Sequence, residues 1–201
     1  MLQSLRFSSR QVALISTFIA IGAVVRIGVD QVGDMVPVPA FGMVIKLGLS
    51  ETLSFVAGFT YGPVVGFVTG FLIILLSDIA SPLGAGAWTP FIASIIGLLG
   101  ICAGVIRRVR SHPTLLMMTI SAVGLTLLSE ALQNLWAALF YNIPIIPTMV
   151  SGVPSLVTAM ANNVILFPTV GSKAIKFLQE HEPTSAEKNE VSEIPRLRKA
   201  P

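Results

Sequence analysis

Apolar residues along this chain fall into long runs, and shorter, more polar connections separate them. A helix needs about 20 predominantly apolar residues to cross a hydrocarbon core of about 30 Å. Six runs approach that length, over residues 12–29, 42–60, 64–79, 91–106, 115–140 and 150–177. The pattern predicts an all-α integral membrane protein in which a bundle of six transmembrane helices occupies residues 1–178.

The overall composition favours the same class of protein. Hydrophobic residues make up 53% of the 201 residues and charged residues 11%, against about 25% charged residues in soluble domains. Residues 179–201 mix charges with three prolines, and they are predicted to form a disordered cytoplasmic tail. The pI of about 9.4 does not indicate a nucleic-acid partner, because the basic excess is explained by membrane topology.

Basic residues occupy alternate connections between the runs. They are Arg6 and Arg10 before the first run, Arg107, Arg108 and Arg110 after the fourth, and Lys173 and Lys176 at the end of the sixth. Six spans place these segments on one side of the membrane, and the positive-inside rule assigns that side to the cytoplasm. We therefore predict a multi-pass protein of the cell membrane with both termini in the cytoplasm. The longer connections lie outside, where a ligand is expected to enter.

Polar side chains recur at helical spacing in the fifth and sixth runs. Glu130 and Asn134 are one turn apart, and so are Thr158 and Asn162. Polar groups at membrane depth are costly and mark a function or a pairing. Two facing polar stripes predict a pocket for a polar, partly aromatic ligand. The alternative is that these groups only hold helices together through hydrogen bonds.

Two further residues are candidates for the same pocket. Lys46 can supply the positive partner of Glu130 or of an anionic ligand group. Trp88 lies in a Gly-rich connection, where its ring can stack on a ligand or close over it. The predicted substrate-binding residues are therefore Lys46, Trp88, Glu130, Asn134, Thr158 and Asn162.

Charged residues also lie near the outer ends of the first and third predicted helices. Arg26 is expected to snorkel to the surface or to pair with Asp30, one turn further on. Asp78 ends the third helix, where it is either a solvated terminus or a functional group.

Small residues repeat every four positions on two of the predicted helices. Gly62, Gly66 and Gly70 share one face of the third helix, and Ser16 and Ala20 share one face of the first. Such faces let another backbone approach closely. The approaching helix belongs either to this chain or to a partner subunit, and both faces are candidate partner interfaces.

Motifs for catalysis are absent from the sequence. There is no HExxH, GxxxxGK or CxxC pattern, and His112 and His181 lie away from the intramembrane carboxylates. The sequence therefore predicts neither an enzyme nor a bound metal or cofactor. Energy for uphill transport then has to come from a partner or an ion gradient. Two alternatives stay open: an intramembrane enzyme that uses Glu130, and a solitary small-molecule transporter or channel-like protein.

The run ETLSFVAGFTYGPVVGFVTGFLIILLSDIASP, from Glu51 to Pro82, joins two apolar helices through a Gly-Pro turn followed by further glycines. Together with the six-helix layout, this run resembles the second-to-third helix signature of S components. These are the membrane-embedded substrate-binding subunits of energy-coupling factor (ECF) vitamin transporters. The resemblance extends more loosely from about Val12 to Phe177.

The resemblance implies both a ligand and a set of partners. The ligand is a vitamin or related micronutrient, such as riboflavin, pantothenate or folate, held in an outward cavity formed by the first loop and the outer parts of the later helices. The partners are a transmembrane coupling (T) subunit and the two cytoplasmic ATPases that it carries. Ser16 and Ala20 stand where an alanine-x-x-x-alanine docking pattern would lie, with serine in place of the first alanine.

Overall fold

The chain is helical throughout the parts that a computed structural model describes, which are residues 9–35, 48–81, 84–110 and 112–180 apart from short connections. The helices are α1 (Ser9–Met35), α2 (Leu49–Tyr61), α3 (Pro63–Ala80), α4 (Thr89–Val109), α5 (Leu115–Phe140), α6 (Ile145–Ser151), α7 (Val153–Leu166) and α8 (Ser172–Glu180). A π-helical segment, Phe167–Gly171, joins α7 to α8. The predicted all-α class is confirmed for these residues.

Four helical stretches within the described ranges are long and apolar enough to cross a membrane: Pro63–Ala80, Thr89–Val109, Leu115–Phe140 and Val153–Glu180. The chain is thus a multi-pass membrane protein by helix length and composition. The apolar part of α1 is shorter, at Val12–Gly28. The 13 residues of α2 extend about 20 Å, less than the hydrocarbon thickness. Six spans and cytoplasmic termini stay predictions, and the tail beyond residue 180 lies outside the described residues.

Helix α2 lies at the centre of the bundle. All of its residues from Thr52 to Thr60 are buried. The rings of Phe55 and Phe59 stack with centroids 5.9 Å apart, and Phe55 meets Phe167 of the π-helical segment at 4.9 Å. A helix buried on every side belongs inside a bundle. The second predicted run therefore forms a short central helix from Leu49 onward.

A Gly-Pro turn joins α2 to α3, as the sequence predicts. Gly62 has a φ of 104°, which glycine adopts without the Cβ clash that other residues suffer. Pro63 occupies the first turn of α3, where its missing N–H costs no helical hydrogen bond. The chain thereby reverses direction within two residues, and α3 packs back against α2.

Helices α2, α3 and α4 pack in direct backbone contact, and we call them the glycine-packed trio. A Cβ at Gly58 would lie 2.0 Å from the carbonyl oxygen of Gly100, and a Cβ at Gly66 would lie 2.5 Å from the Cα of Gly58. The Ser54 hydroxyl donates to the carbonyl oxygen of Ile96 at 2.9 Å. Only glycine permits this separation, so the three helices are fixed in position relative to one another.

The assignment of Gly66 and Gly70 to a partner interface is corrected by this packing. A Cβ at Gly70 would lie 2.4 Å from Ser54 Oγ and 2.7 Å from the carbonyl oxygen of Ile96. Helices α2 and α4 of the same chain therefore occupy this face and leave no room for a partner. Gly62 differs, because a Cβ there would meet nothing within 4 Å. Its place in an interface stays a prediction.

Candidate functional site

Polar side chains line the contact between α5 and α7, and we call this contact the α5–α7 seam. Two contacts define it: Thr126 of α5 meets Asn163 of α7, and Asn134 of α5 meets Gly152 at the start of α7. Glu130 lies between Thr126 and Asn134 on α5. Its central contact is a hydrogen bond in which Asn163 Nδ2 donates to Thr126 Oγ1 at 2.9 Å. Asn163 is 1% exposed and Thr126 is 2% exposed. The three residues of α5 are spaced by one turn each, so they share a face.

The hydrogen bond between Asn163 and Thr126 lies near the middle of both helices. Asn163 is ten residues from the start of α7, and Thr126 is eleven residues from the start of α5. These separations correspond to about 15 Å along each helix, or about half the hydrocarbon thickness. Polar groups at such depth are retained where they pair or bind a ligand.

Gly48 packs directly on the Asn163 amide. It is buried and has left-handed backbone angles, with φ 62° and ψ 9°. A Cβ at this position would lie 2.0 Å from Asn163 Oδ1. Glycine is therefore required both for the backbone conformation and for the space that the amide oxygen occupies. The chain enters α2 inside the bundle, beside the seam.

The Asn163 side chain has an unused acceptor. Its Oδ1 is buried and accepts no hydrogen bond from the parts of the chain that the structure describes. A buried polar atom left without a partner costs roughly 1–3 kcal/mol. Because Nδ2 is held by Thr126, the oxygen stays on the side of Gly48. The seam thus contains a buried acceptor that a donor group can reach only where the packing between Gly48 and Asn163 opens.

Glu130 lies one turn beyond Thr126 on the same face of α5. It is 5% exposed, so the carboxyl group lies inside the bundle, where the sequence analysis expected it. The neighbouring Gln133 amide donates to Ser129 Oγ at 2.9 Å and is therefore engaged along α5 itself. The carboxyl group of Glu130 thus lies one turn along α5 from the Thr126 hydroxyl that the Asn163 amide contacts, so buried polar groups occupy two successive turns of this face.

Asn134 lies at the end of the seam where α6 meets α7. A Cβ at Gly152 would lie 2.4 Å from Asn134 Nδ2 and 2.6 Å from Oδ1, so the amide rests against the backbone of Gly152. Thr158 and Asn162 are half-buried on α7, and the Thr158 hydroxyl donates to the carbonyl oxygen of Ser155 at 2.9 Å. Helices α5 and α7 therefore pack against each other, while the predicted facing of Thr158 and Asn162 toward α5 stays a prediction.

The central amide of α7 is Asn163 and not Asn162. In the sequence, Asn162 continues the spacing of Thr158, which is the basis for predicting it in the site. The buried residues of α7 are instead Ala159 and Asn163, which are one turn apart. The sequence contains a signal for this face. The small residues Gly152 and Ala159 lie on the same side of α7 as Asn163, and small residues permit close packing.

Trp88 and Lys46 are not brought into the seam by the described contacts. Trp88 precedes α4, is 37% exposed, and its ring covers Gly86, where a Cβ would lie 2.3 Å from the ring. Its predicted role above a ligand stays a prediction. Lys46 lies outside the described residues.

An aromatic cluster occupies the end of the bundle where α4 begins and α5 ends. Trp136 stacks on Phe91 with ring centroids 5.3 Å apart and on Phe140 at 4.9 Å, and Tyr141 meets Phe140 edge-on at 5.1 Å. Phe91, Phe140 and Tyr141 are exposed. Exposed aromatic rings at helix ends are typical of a membrane interface, which places this end of the bundle at one membrane surface.

A partly buried ion pair and a hydrogen bond to the same carboxyl group join three helices at this end. Arg26 of α1 donates to Asp78 Oδ1 of α3 at 2.9 Å, and the Thr89 hydroxyl of α4 donates to Asp78 Oδ2 at 2.6 Å. Asp78 is 5% exposed, so it is not a solvated helix terminus. The sequence analysis considered Asp30 as a partner of Arg26, and the Asp30 side chain lies outside the described residues. The sequence indicates this pair only through opposite charges near the same ends of two apolar helices.

The face of α1 that carries Ser16 and Ala20 is exposed. The opposite face is packed, because a Cβ at Gly22 would lie 2.7 Å from the Ile73 side chain of α3. The small-residue face is therefore available for contact with another molecule, although its partner stays a prediction.

The described residues contain no cluster of three or more His, Cys, Asp or Glu that could hold a metal ion. The chain matches no protein-family model, no curated protein and no solved structure. Its function is therefore inferred from its own sequence, including the resemblance of Glu51 to Pro82, and from the geometry of its residues.

Proposed function

We propose that this chain is the substrate-binding S component of an ECF-type importer and that it captures a vitamin or related micronutrient at the α5–α7 seam. The observation that carries the proposal is the buried Asn163 Oδ1 beside Gly48, which accepts no hydrogen bond within the described ranges. A ligand that donates to this oxygen would remove the cost of burying it unpaired.

The chemistry of the seam favours a ligand with several hydrogen-bond donors on a partly apolar body. Asn163 and Glu130 are buried polar residues of the seam, and α7 carries apolar residues such as Ala159 and Val164 close to Asn163 in the sequence. Pockets of this kind bind small molecules through a few placed polar groups in an apolar lining. Riboflavin, pantothenate and folate all carry N–H or O–H donors, so they are the first ligands to test.

Import against a gradient needs an energy source, and the sequence carries no phosphate-binding GxxxxGK motif. We therefore propose that the chain works with a transmembrane coupling subunit and two cytoplasmic ATPases. The exposed Ser16 and Ala20 on α1 supply a face on which another helix can pack closely. No chemical change of the ligand is proposed.

The test uses the purified, detergent-solubilised full chain. Small molecules that co-purify are identified by mass spectrometry, and riboflavin, pantothenate and folate are titrated by isothermal calorimetry. Asn163→Leu is expected to weaken the bound ligand roughly tenfold to a hundredfold, because a ligand donor is left unpaired in a dry site. Thr126→Val is the comparison variant: it removes the hydrogen bond that orients the Asn163 amide but keeps Oδ1 in the chain, so it should weaken binding less than Asn163→Leu.

The outcomes separate the proposal from its alternatives. Tight binding that Asn163→Leu weakens far more than Thr126→Val supports capture at the seam. Equal affinity in both variants would place the ligand elsewhere. Turnover of a substrate that Glu130→Gln abolishes would instead favour an intramembrane enzyme, and uptake into vesicles by the chain alone would favour a solitary transporter.

A further inference from the structure

An apolar groove lies on the outside of the bundle between the second half of α4 and the first half of α5, and we call it the α4–α5 groove. It has a volume of about 550 Å³. Its walls include the branched side chains of Val105, Val109, Leu116 and Ile120, and Arg110 lies at one end. None of these residues belongs to the α5–α7 seam, so the groove is separate from the proposed ligand site.

The walls of the groove face outward. Val109 is 81% exposed, Leu116 is 71% exposed and Ile120 is 62% exposed. Both α4 and α5 are long and apolar enough to span a membrane, so these side chains face hydrocarbon. A recess of this size left empty in the bilayer would forfeit dispersion contacts along both walls. The groove is therefore occupied by some apolar molecule or segment.

The length of the groove corresponds to one leaflet. On α5 it extends from Thr114 to Leu125, which is eleven residues or about 16 Å of helix. One half of a hydrocarbon core of about 30 Å is about 15 Å. The groove thus begins at the membrane surface, where α4 ends and α5 starts, and reaches the middle of the bilayer.

Positive charge is concentrated at the surface end of the groove. Arg110 and the adjacent Arg108 are exposed, and neither forms an ion pair within the described parts of the chain. Helix α5 also begins here, with the Thr114 hydroxyl accepting from the Met117 amide, so the positive end of its dipole points the same way. Below this end the lining is apolar except for Ser121. One polar, cationic end and one apolar end match a phospholipid with an anionic headgroup.

We propose that the α4–α5 groove binds one acyl chain of an anionic phospholipid whose phosphate contacts Arg110. A lipid fits the walls better than a partner helix does. Close helix association in membranes uses small residues, whereas this groove is lined mainly by Val, Leu and Ile, with Gly124 as its small position. The bound lipid would fill the gap between α4 and α5 at this end of the bundle.

Gly124 provides a direct way to fill the groove. A Cβ there would meet nothing within 4 Å, so Gly124→Phe places a ring in the groove without a clash against the fold. Val123→Phe is the matched control, because Val123 is exposed on α5 but does not line the groove. Both variants should keep the melting temperature of the unaltered chain, which is measured alongside.

The binding experiment uses the detergent-solubilised full chain with phosphatidylglycerol and phosphatidylcholine of identical acyl chains. Native mass spectrometry counts the lipids that remain bound during titration. We expect one phosphatidylglycerol to bind at least fivefold more tightly than phosphatidylcholine, since each basic residue near an anionic lipid surface contributes that order of affinity. Gly124→Phe should abolish this site, and Val123→Phe should retain it.

Arg110→Gln and Arg108→Gln form a second matched pair. Arg110→Gln should lower the ratio of phosphatidylglycerol to phosphatidylcholine affinity about fivefold. Arg108→Gln should lower this ratio less, because Arg108 does not line the groove. Equal binding of the two lipids, or unchanged binding in Gly124→Phe, would overturn the proposal. The proposal would also be overturned if Gly124→Phe still bound lipid but lost a membrane protein that co-purifies with the unaltered chain. That result would assign the groove to a partner helix.

Discussion

The glycine-packed trio and the α5–α7 seam bring helices together in opposite ways. In the trio, Gly58, Gly66 and Gly100 remove side chains altogether so that backbones touch. In the seam, the side chains of Thr126 and Asn163 fill the space between helices with a hydrogen bond. Within the most apolar 18 residues of each span, 44% of α3 and 50% of α4 are buried, against 44% of α5 and 17% of Val153–Glu180. The lower burial is therefore confined to the α7 side of the seam.

The difference indicates which half of the bundle can change shape. Backbone contacts at glycine allow one separation only, because any displacement opens a void or creates a clash. A seam of hydrogen-bonded side chains can exchange its partners for those of a ligand at small cost. The trio is therefore a scaffold, and the seam is where we expect a ligand to enter and the helices to adjust.

The largest effect is expected for a large side chain in the trio. Gly58→Leu forces a Cβ to within 2.0 Å of the Gly100 carbonyl oxygen, and backbone atoms cannot rotate away as a side chain can. A loss beyond about 4 kcal/mol is expected, seen as a fall in melting temperature of about 10 °C or more in detergent or as failure to accumulate. Ligand binding would be lost with the fold.

The control for this variant is the same substitution in the other half of the bundle. A Cβ at Gly124 of α5 would meet nothing within 4 Å, and replacing a helical glycine raises helix propensity by up to about 1 kcal/mol. Gly124→Leu should therefore leave the melting temperature unchanged or raise it. Equal tolerance of leucine at Gly58 would refute the scaffold role of the trio.

The helices themselves could largely be predicted from the sequence. The fifth run, residues 115–140, coincides with α5 because it is mainly apolar and contains no proline, and because the hydroxyl of Thr114 accepts from the Met117 amide at the start of the helix. Helices α3 and α4 lie within three residues of their predicted limits. The sequence does not predict that α2 is too short to span the membrane. The limits of α2 depend on how it packs against the neighbouring helices and not on its own hydrophobicity.

The centre of the candidate site could not be predicted to the residue. Periodicity indicates that a stripe faces inward, but neighbouring positions differ by only 100° around a helix. Contact with Gly48, more than one hundred residues earlier in the chain, places Asn163 and not Asn162 inside. The Arg26–Asp78 pair is separated by 52 positions, and only the packing of α1 on α3 brings its members together.

A smaller effect, on the seam, is expected at Gly48. Gly48→Ala combines left-handed backbone strain of about 1–2 kcal/mol with a clash against Asn163 Oδ1 at 2.0 Å, which the amide can partly relieve by turning. The total loss should be about 2–3 kcal/mol of stability. Because the turning displaces the proposed ligand acceptor, affinity for the co-purified ligand should fall as well.

The Gly84→Ala variant measures the cost of left-handed backbone strain without a steric clash. Gly84 also has a left-handed φ, of 73°, but a Cβ there would meet nothing within 4 Å. Its alanine variant should lose about 1–2 kcal/mol of stability and keep full affinity. Melting curves and ligand titrations on both variants measure the two contributions. A Gly48→Ala chain with unchanged affinity would separate the ligand from Asn163.

The smallest effect on the fold is expected on α1, outside both regions. Ser16 and Ala20 are exposed, so the double variant Ser16→Trp, Ala20→Trp should change stability by less than about 0.5 kcal/mol and leave ligand affinity intact.

If this face docks on a coupling subunit, the indole rings hold that subunit's helix away from the small-residue contact, and the yield of the assembled complex in affinity purification should fall severalfold. Ile21→Trp is the control, because Ile21 is also exposed but lies 100° or more around the helix from Ser16 and Ala20. A complex that assembles equally well in all three chains would show that α1 docks through another face, while the trio and the seam would keep the roles assigned to them here.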